Sequence, residues 1–296
     1  MMTVKTRKRR NFCRTALTPY TVWAVIFIMV PLGFIAFYAF TDSGFNFTLN
    51  NIVRFFTTIS SMENSVGTNI EVRTYLLIMW RSLKLAFIST VICLMIGYPL
   101  AVKITKAGKK KQNILINLIM IPMWMNFLIR TYAWMTILQD SGIINSIISK
   151  IGIDPIHIIG TETAVIIGMV YDYLPYMVLP IYSVLIKTDD NLIEAAKDLG
   201  CNDRHVFKRI IFPLSIPGIL SGITMVLIPS VSTFYISQKL GNGKFFLIGD
   251  AIEGQYVANN LHFAATMALI LMVILMILMG IIKYMTGKFV YGGVAK

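Results

Sequence analysis

Runs of about twenty apolar residues recur along this chain, separated by polar, charge-rich stretches. Residues 21–40, 83–104, 114–134, 163–186, 210–237 and 263–282 each hold apolar length enough to cross a ~30 Å hydrocarbon core at 1.5 Å per residue. The pattern predicts six transmembrane helices, an all-α polytopic membrane protein. The run 21–40 reads as a retained helix, because twenty apolar residues exceed the ~7–15 of a secretory leader's core. Residues 41–80 form a long polar connection in which 51–59 predicts a short interfacial helix, and the outer segment 139–162 predicts a second near Ile147 and Ile148. Gly97, Tyr98 and Pro99 predict a kink in the second run. Residues 238–262 read as an outer loop.

Composition agrees. The 296 residues are 56% hydrophobic with mean hydropathy +0.70 and 14% charged, where a soluble domain is about a quarter charged. A net charge of +13 would suggest a nucleic-acid ligand in a soluble chain. Here the cations sit in particular loops: Lys5, Arg7, Lys8, Arg9, Arg10 and Arg14; Lys103, Lys106, Lys109, Lys110 and Lys111; Lys187, Lys197, Arg204, Lys208 and Arg209; and Lys283, Lys288 and Lys296. These segments hold most of the 27 Lys and Arg. The positive-inside rule therefore predicts both termini, and the loop after the fourth run, in the cytoplasm. Lipid is the expected partner of this charge, and nucleic acid is not. Cys13, Cys93 and Cys201 lie far apart, and neither disulfide nor zinc is expected of them.

Catalytic motifs are missing. Gly241-Asn242-Gly243-Lys244 is followed by Phe245, and Gly287-Lys288 by Phe289, so neither is a phosphate-binding loop. His157, His205 and His262 fall in separate loops, and no zinc-protease motif or nucleophile elbow occurs. No catalytic residue, metal site or cofactor of its own is assigned to the chain.

The most informative polar stretch follows the fourth run. Glu194-Ala195-Ala196 is followed after three residues by Gly200, and after nine more by Ile210-Ile211-Phe212-Pro213. Glu and Ala favour a helix, Gly200 suits its stop, and a carboxylate in the first turn suits docking to a basic partner. The spacing resembles the E-A-A loop of ABC importer permeases, with Phe212 where Leu is usual. The resemblance implies a type I ABC importer permease fold, with Glu194, Ala195, Ala196, Gly200, Ile210 and Pro213 in a coupling loop at about 187–213. It implies a basic tail at 1–20, a first helix and external loop at 21–75, the transmembrane domain at 76–284 and a tail at 285–296. It also implies that ATP is hydrolysed by a separate ABC ATPase dimer, and that a second homologous permease and an extracellular substrate-binding protein complete the assembly in a bacterial plasma membrane.

Residues 121–132, 168–171 with Leu174 and Pro175, 194–218, and 234–237 further resemble the PotB-type permeases of spermidine/putrescine importers. That likeness implies polyamine import by alternating access. Other small organic or cationic solutes remain alternatives, a secondary transporter is a further one, and a membrane-embedded enzyme or scaffold is the rival class. Asp172 lies about 15 Å into the fourth run, near mid-membrane. A carboxylate there with Tyr173 and Tyr176 suits an ammonium chain through ion pairing and cation–π attraction. It is equally satisfied by pairing with Arg130 or another base, or by a proton and a tyrosine hydroxyl. Trp124, Asn126 and Tyr235 are further candidates for the pathway, or for ordinary helix packing.

Overall fold

A computed structural model describes residues 18–63, 69–244 and 246–292. The basic residues from Lys5 to Arg14, Cys13 and Lys296 lie outside them. In chain order the elements are α1 (Thr18–Ala39), α2 (Asn50–Thr57), a hairpin of β1 (Ile59–Glu63) and β2 (Asn69–Arg73), α3 (Thr74–Thr105), α4 (Lys109–Trp124), α5 (Phe127–Leu138) and α6 (Ile143–Lys150). Then come α7 (Glu162–Leu185), α8 (Asp190–Asp198), α9 (Asp203–Ser232), α10 (Tyr235–Leu240), α11 (Ile248–Val257) and α12 (Leu261–Gly292).

Five helices, α1, α3, α7, α9 and α12, are long and apolar enough to cross a membrane. The expected third span is a broken one. Its two limbs, α4 and the α5–α6 segment, meet at 94°, and counting the pair as one gives six spans. Met125 and Asn126 are both extended at the corner. Pro122 lies in the last turn of α4, and the Asn126 side chain starts α5 by accepting from the Leu128 N–H at 2.8 Å.

Helices α3, α7 and α9 form the central packing unit. Its core includes Leu85, Cys93, Met169, Met177, Val178, Ile181 and Val226. The α7–α9 seam is close because Gly218 and Gly222 occupy successive turns of one face. A Cβ on Gly218 would lie 2.9 Å from the Pro180 carbonyl oxygen, and one on Gly222 2.7 Å from the Met177 sulfur. This small-x-x-x-small spacing suits helix packing in lipid, where van der Waals contact replaces the hydrophobic effect as the driving force. A second cluster joins Phe55, Met79, Ala86, Val231, Ile248, Phe263 and Met267. Among the described residues helix α1 packs chiefly on α12, where the Thr266 hydroxyl donates to the Ala39 carbonyl at 3.1 Å.

Several boundaries differ from the sequence reading. The 41–80 connection contains the β1–β2 hairpin, paired from Ile59↔Arg73 to Glu63↔Asn69, where Ile59, Ile70 and Val72 suit extended backbone. Helix α3 begins at Thr74, so Arg81 and Lys84 ride on it and reach Glu162 of α7 (Lys84 Nζ–Oε2 2.8 Å, Arg81 Nε–Oε1 3.7 Å). Past Gly97 and Pro99 it stays one helix, with Gly97 against Met177 and Val178. The fifth run begins at Asp203 and ends at Ser232, and extended Thr233 separates α10. The outer loop holds α11, whose Gly249 abuts the Thr233 carbonyl. The two short helices were expected, and they are α2 and α6.

Candidate functional site

The loop between α7 and α9 folds as a helix, a tight turn and a second helix. The Asp189 side chain caps α8, accepting from the Asn191 N–H at 3.0 Å. The helix therefore starts earlier than the sequence reading placed it, and Glu194 lies in its second turn, not its first. At the other end Gly200 adopts φ +82°, a conformation that only glycine takes without strain. Its N–H bonds the Lys197 carbonyl at 2.8 Å, and that of Cys201 bonds the Ala196 carbonyl at 3.0 Å. Asn202 then caps α9 by accepting from the His205 N–H at 2.9 Å. Lys197 Nζ and Asp203 Oδ1, 3.1 Å apart, link the two helices across the turn. A π-helical turn at Phe207–Ile211 precedes Pro213, which has no N–H to give to the preceding turn.

The faces of α8 divide its residues. Ile193 and Ala196 turn inward onto the core, where Ala196 is only 9% exposed and packs with the cluster that holds Val206 and Ile211. Glu194 and Ala195 stand outward with Leu192 and Leu199, the last 86% exposed. Leu192, Ala195 and Leu199 follow i, i+3, i+7 spacing, so the outer face is an apolar stripe flanked by Glu194 and Asp198. The two alanines do different work: Ala196 lets α8 lie close to its own membrane domain, and Ala195 leaves its outer face low. Ile210 is half-buried and Pro213 exposed.

In the membrane domain, Asp172 faces Arg130 of α5. Nη1 and Oδ1 are 3.2 Å apart, and the side chains are 7% and 2% exposed for Arg130 and Asp172. The contact is electrostatic and poorly aligned, because Nε, Nη1 and Oδ1 make no hydrogen bond. Of the alternatives open to Asp172, pairing with Arg130 is the one this conformation adopts. Tyr173 is buried, and its hydroxyl donates to the Pro229 carbonyl at 3.4 Å. Tyr176 lies beside it, ring centroids 6.4 Å apart, and is partly exposed.

Tyr235 belongs to a different group. Its ring meets Tyr132 edge-on at 6.0 Å and Phe127 at 5.9 Å, and the Lys239 ammonium lies 5.3 Å from the Tyr132 ring centre and 5.6 Å from that of Tyr235. The sequence reading missed Tyr132 and Lys239, although Lys239 shares a helical face with Tyr235 at i+4. Trp124, 82% exposed at the end of α4, is not brought to either group, and Asn126 is occupied as the α5 cap. Among the described residues no three His, Cys, Asp or Glu cluster as a metal site would require.

Residues 93–290 match the family described as "Binding-protein-dependent transport system inner membrane component". The chain is 38% identical over 260 residues to the spermidine/putrescine transport system permease protein PotB of Haemophilus influenzae, covering 86% of this chain and 87% of that protein. It is 36% identical to PotB of Escherichia coli over 79% and 83% of the two chains. A chain in the crystal structure of a bacterial alginate ABC transporter, bound to its alginate pentasaccharide-loaded periplasmic protein, superposes with TM-score 0.76, covering 97% of each chain at 16% identity. That likeness concerns the fold. With the turn at Gly200, the helix ahead of it and the packing of the spans all in place, the chain belongs to the binding-protein-dependent transport inner-membrane components, as a permease of the PotB type.

Proposed function

We propose that this permease carries polyamines, spermidine and putrescine, into a bacterial cytoplasm as one half of an ATP-driven pathway. The observation that carries the reading is its 35–38% identity to permeases named for spermidine/putrescine transport, which spans the coupling loop and the membrane domain together. The other half of the pathway is a second homologous permease. An ATPase dimer binds and hydrolyses the ATP, and an extracellular polyamine-binding protein delivers substrate. Both termini and α8 face the cytoplasm, as the distribution of Lys and Arg favours.

Two features of the geometry support a coupling role for α8. Its ends are capped, and Ile193 and Ala196 pack on the cluster that holds Val206 and Ile211, so force on α8 reaches the core. Its outward stripe fits an apolar groove, and Glu194 suits a charge-assisted bond from an arginine or lysine on the groove wall. For the substrate, the Tyr132–Tyr235 pair offers aromatic faces to an ammonium group, which would exchange for the ammonium of Lys239. Asp172 would join the pathway only after leaving Arg130. Tyr173, Tyr176, Trp124 and Asn126 stay secondary candidates.

The test is uptake of labelled spermidine and putrescine by the assembled complex in proteoliposomes, with the ATPase rate read in parallel. Polyamine accumulation that Glu194→Ala abolishes, together with substrate-dependent ATP turnover, is the expected result. ATP turnover that responds to Glu194→Ala, but with no polyamine moved, would overturn the substrate and leave an importer of another small organic or cationic solute.

A further inference from the structure

Directly behind α8, where the spans Thr74–Thr105 and Glu162–Leu185 both end, is a cavity of about 530 Å³. Two apolar spans that end together place it next to the membrane–water interface. The lining is two-sided in chemistry. Val102 of α3 and Ile193 of α8 supply apolar wall, while Lys106 and Lys109 stand at the α3–α4 turn. Neither lysine, nor Lys103, Lys110 or Lys111, forms an ion pair among the described residues. Buried Gln112 fixes the turn by donating from Nε2 to the carbonyls of Thr105 and Ala107, both at 2.8 Å. The first turn of α4 carries no acidic residue and has no side-chain cap, so its N–H groups add to the positive field.

We infer that this cavity is a lipid site: the phosphate of an anionic phospholipid in the adjacent leaflet sits between Lys106 and Lys109, with the glycerol and upper acyl chain along the apolar wall. Three observations select that ligand over a soluble anion. The cavity lies where two apolar spans end, it has apolar wall that a free phosphate would leave unused, and among the described residues its lysines have no protein counter-ion. Basic pockets between membrane helices on the cytoplasmic side take anionic headgroups on the same principle. Because Ile193 belongs to α8, a lipid seated there would brace the coupling helix from behind. The site does not depend on which solute is carried.

Native mass spectrometry of the assembled complex in a neutral detergent tests this directly, with phosphatidylglycerol, phosphatidylcholine and inorganic phosphate as probes. One phosphatidylglycerol retained on this chain, and no phosphatidylcholine, is expected. K106Q/K109Q should weaken retention roughly thirtyfold, at the usual contribution of a lysine near an anionic headgroup. K110Q/K111Q removes the same charge outside the cavity and should leave retention unchanged. Thr188→Trp keeps both lysines but places an indole ring in the cavity, and should also weaken retention. Equal weakening in both lysine pairs would mean diffuse surface charge and overturn the site. Displacement of the lipid by inorganic phosphate at similar concentration would mean a soluble-anion site, and no retained phosphatidylglycerol would end the proposal.

Discussion

Removing one member of the Arg130–Asp172 pair should cost far more than removing both. At 3.2 Å and an effective dielectric near 20, the attraction between the two charges is about 5 kcal/mol. Desolvating each ion costs several kcal/mol, so the intact pair stands close to balance against an apolar replacement. A single substitution, Asp172→Asn or Arg130→Met, strands a buried charge and should destabilise by about 3–5 kcal/mol, or between a hundredfold and a few thousandfold in the folded fraction. The double variant should recover most of that loss. Reversible unfolding in mixed micelles of the four proteins closes the cycle. Single variants that each change stability by under about 1 kcal/mol, and add in the double, would refute the reasoning. Uptake in the same set separates structure from transport. If Asp172 acts only by holding α5 to α7, Arg130→Met restores the transport lost in Asp172→Asn. If Asp172 touches the ammonium of the substrate in another state of the cycle, the double variant folds and still does not transport.

The remaining predictions concern packing and protons. Gly218→Val should force α7 and α9 apart at the Pro180 carbonyl and destabilise by about 1–3 kcal/mol, while Gly280→Val, where nothing lies near, should be tolerated; equal unfolding midpoints would contradict the seam. In the connection after α10, burial pushes the Asp250 carboxyl up to about 6, against the one N–H it accepts, from Leu247 at 2.8 Å. The folded state thus holds this proton while the unfolded chain releases it near 3.8. Stability is greatest below that value, falls by about 3 kcal/mol as pH rises to about 6, and is level above. Asp250→Asn should remove this contribution, so the difference in unfolding free energy between variant and wild type should change over the same interval; a constant difference would count against it.

The parts of this architecture that rest on local signals could be read from the chain. Long apolar runs announced the spans, and glycine at 200 announced the end of α8, because the turn there needs positive φ. What could not be read depends on partners distant in sequence. Arg81 and Lys84 looked like the end of a span until Glu162 supplied their counter-charge from another helix. The corner at Met125–Asn126 carries a local proline and cap, yet the 94° bend itself, and the meeting of Arg130 with Asp172 beyond it, involve a helix about forty residues further on. The inward turn of Ala196 follows from where α9 lies beneath α8, and no composition rule distinguishes it from Ala195. Lys239 was missed for the opposite reason. Its i+4 relation to Tyr235 was present in the sequence, but a lysine beside a turn reads as solvated until Tyr132 arrives from α5.

Among the described residues, the span that α1 chiefly packs on is α12. Helix α1 therefore leaves the ribosome well before its main packing partner in the chain, as the 227 positions between Ala39 and Thr266 require. Until α12 is made it lacks that partner, so the Thr266–Ala39 bond is a late contact. A chain interrupted anywhere before α12 would leave the α12-facing side of α1 uncovered, which gives membrane quality control a mark by which to tell finished permeases from unfinished ones.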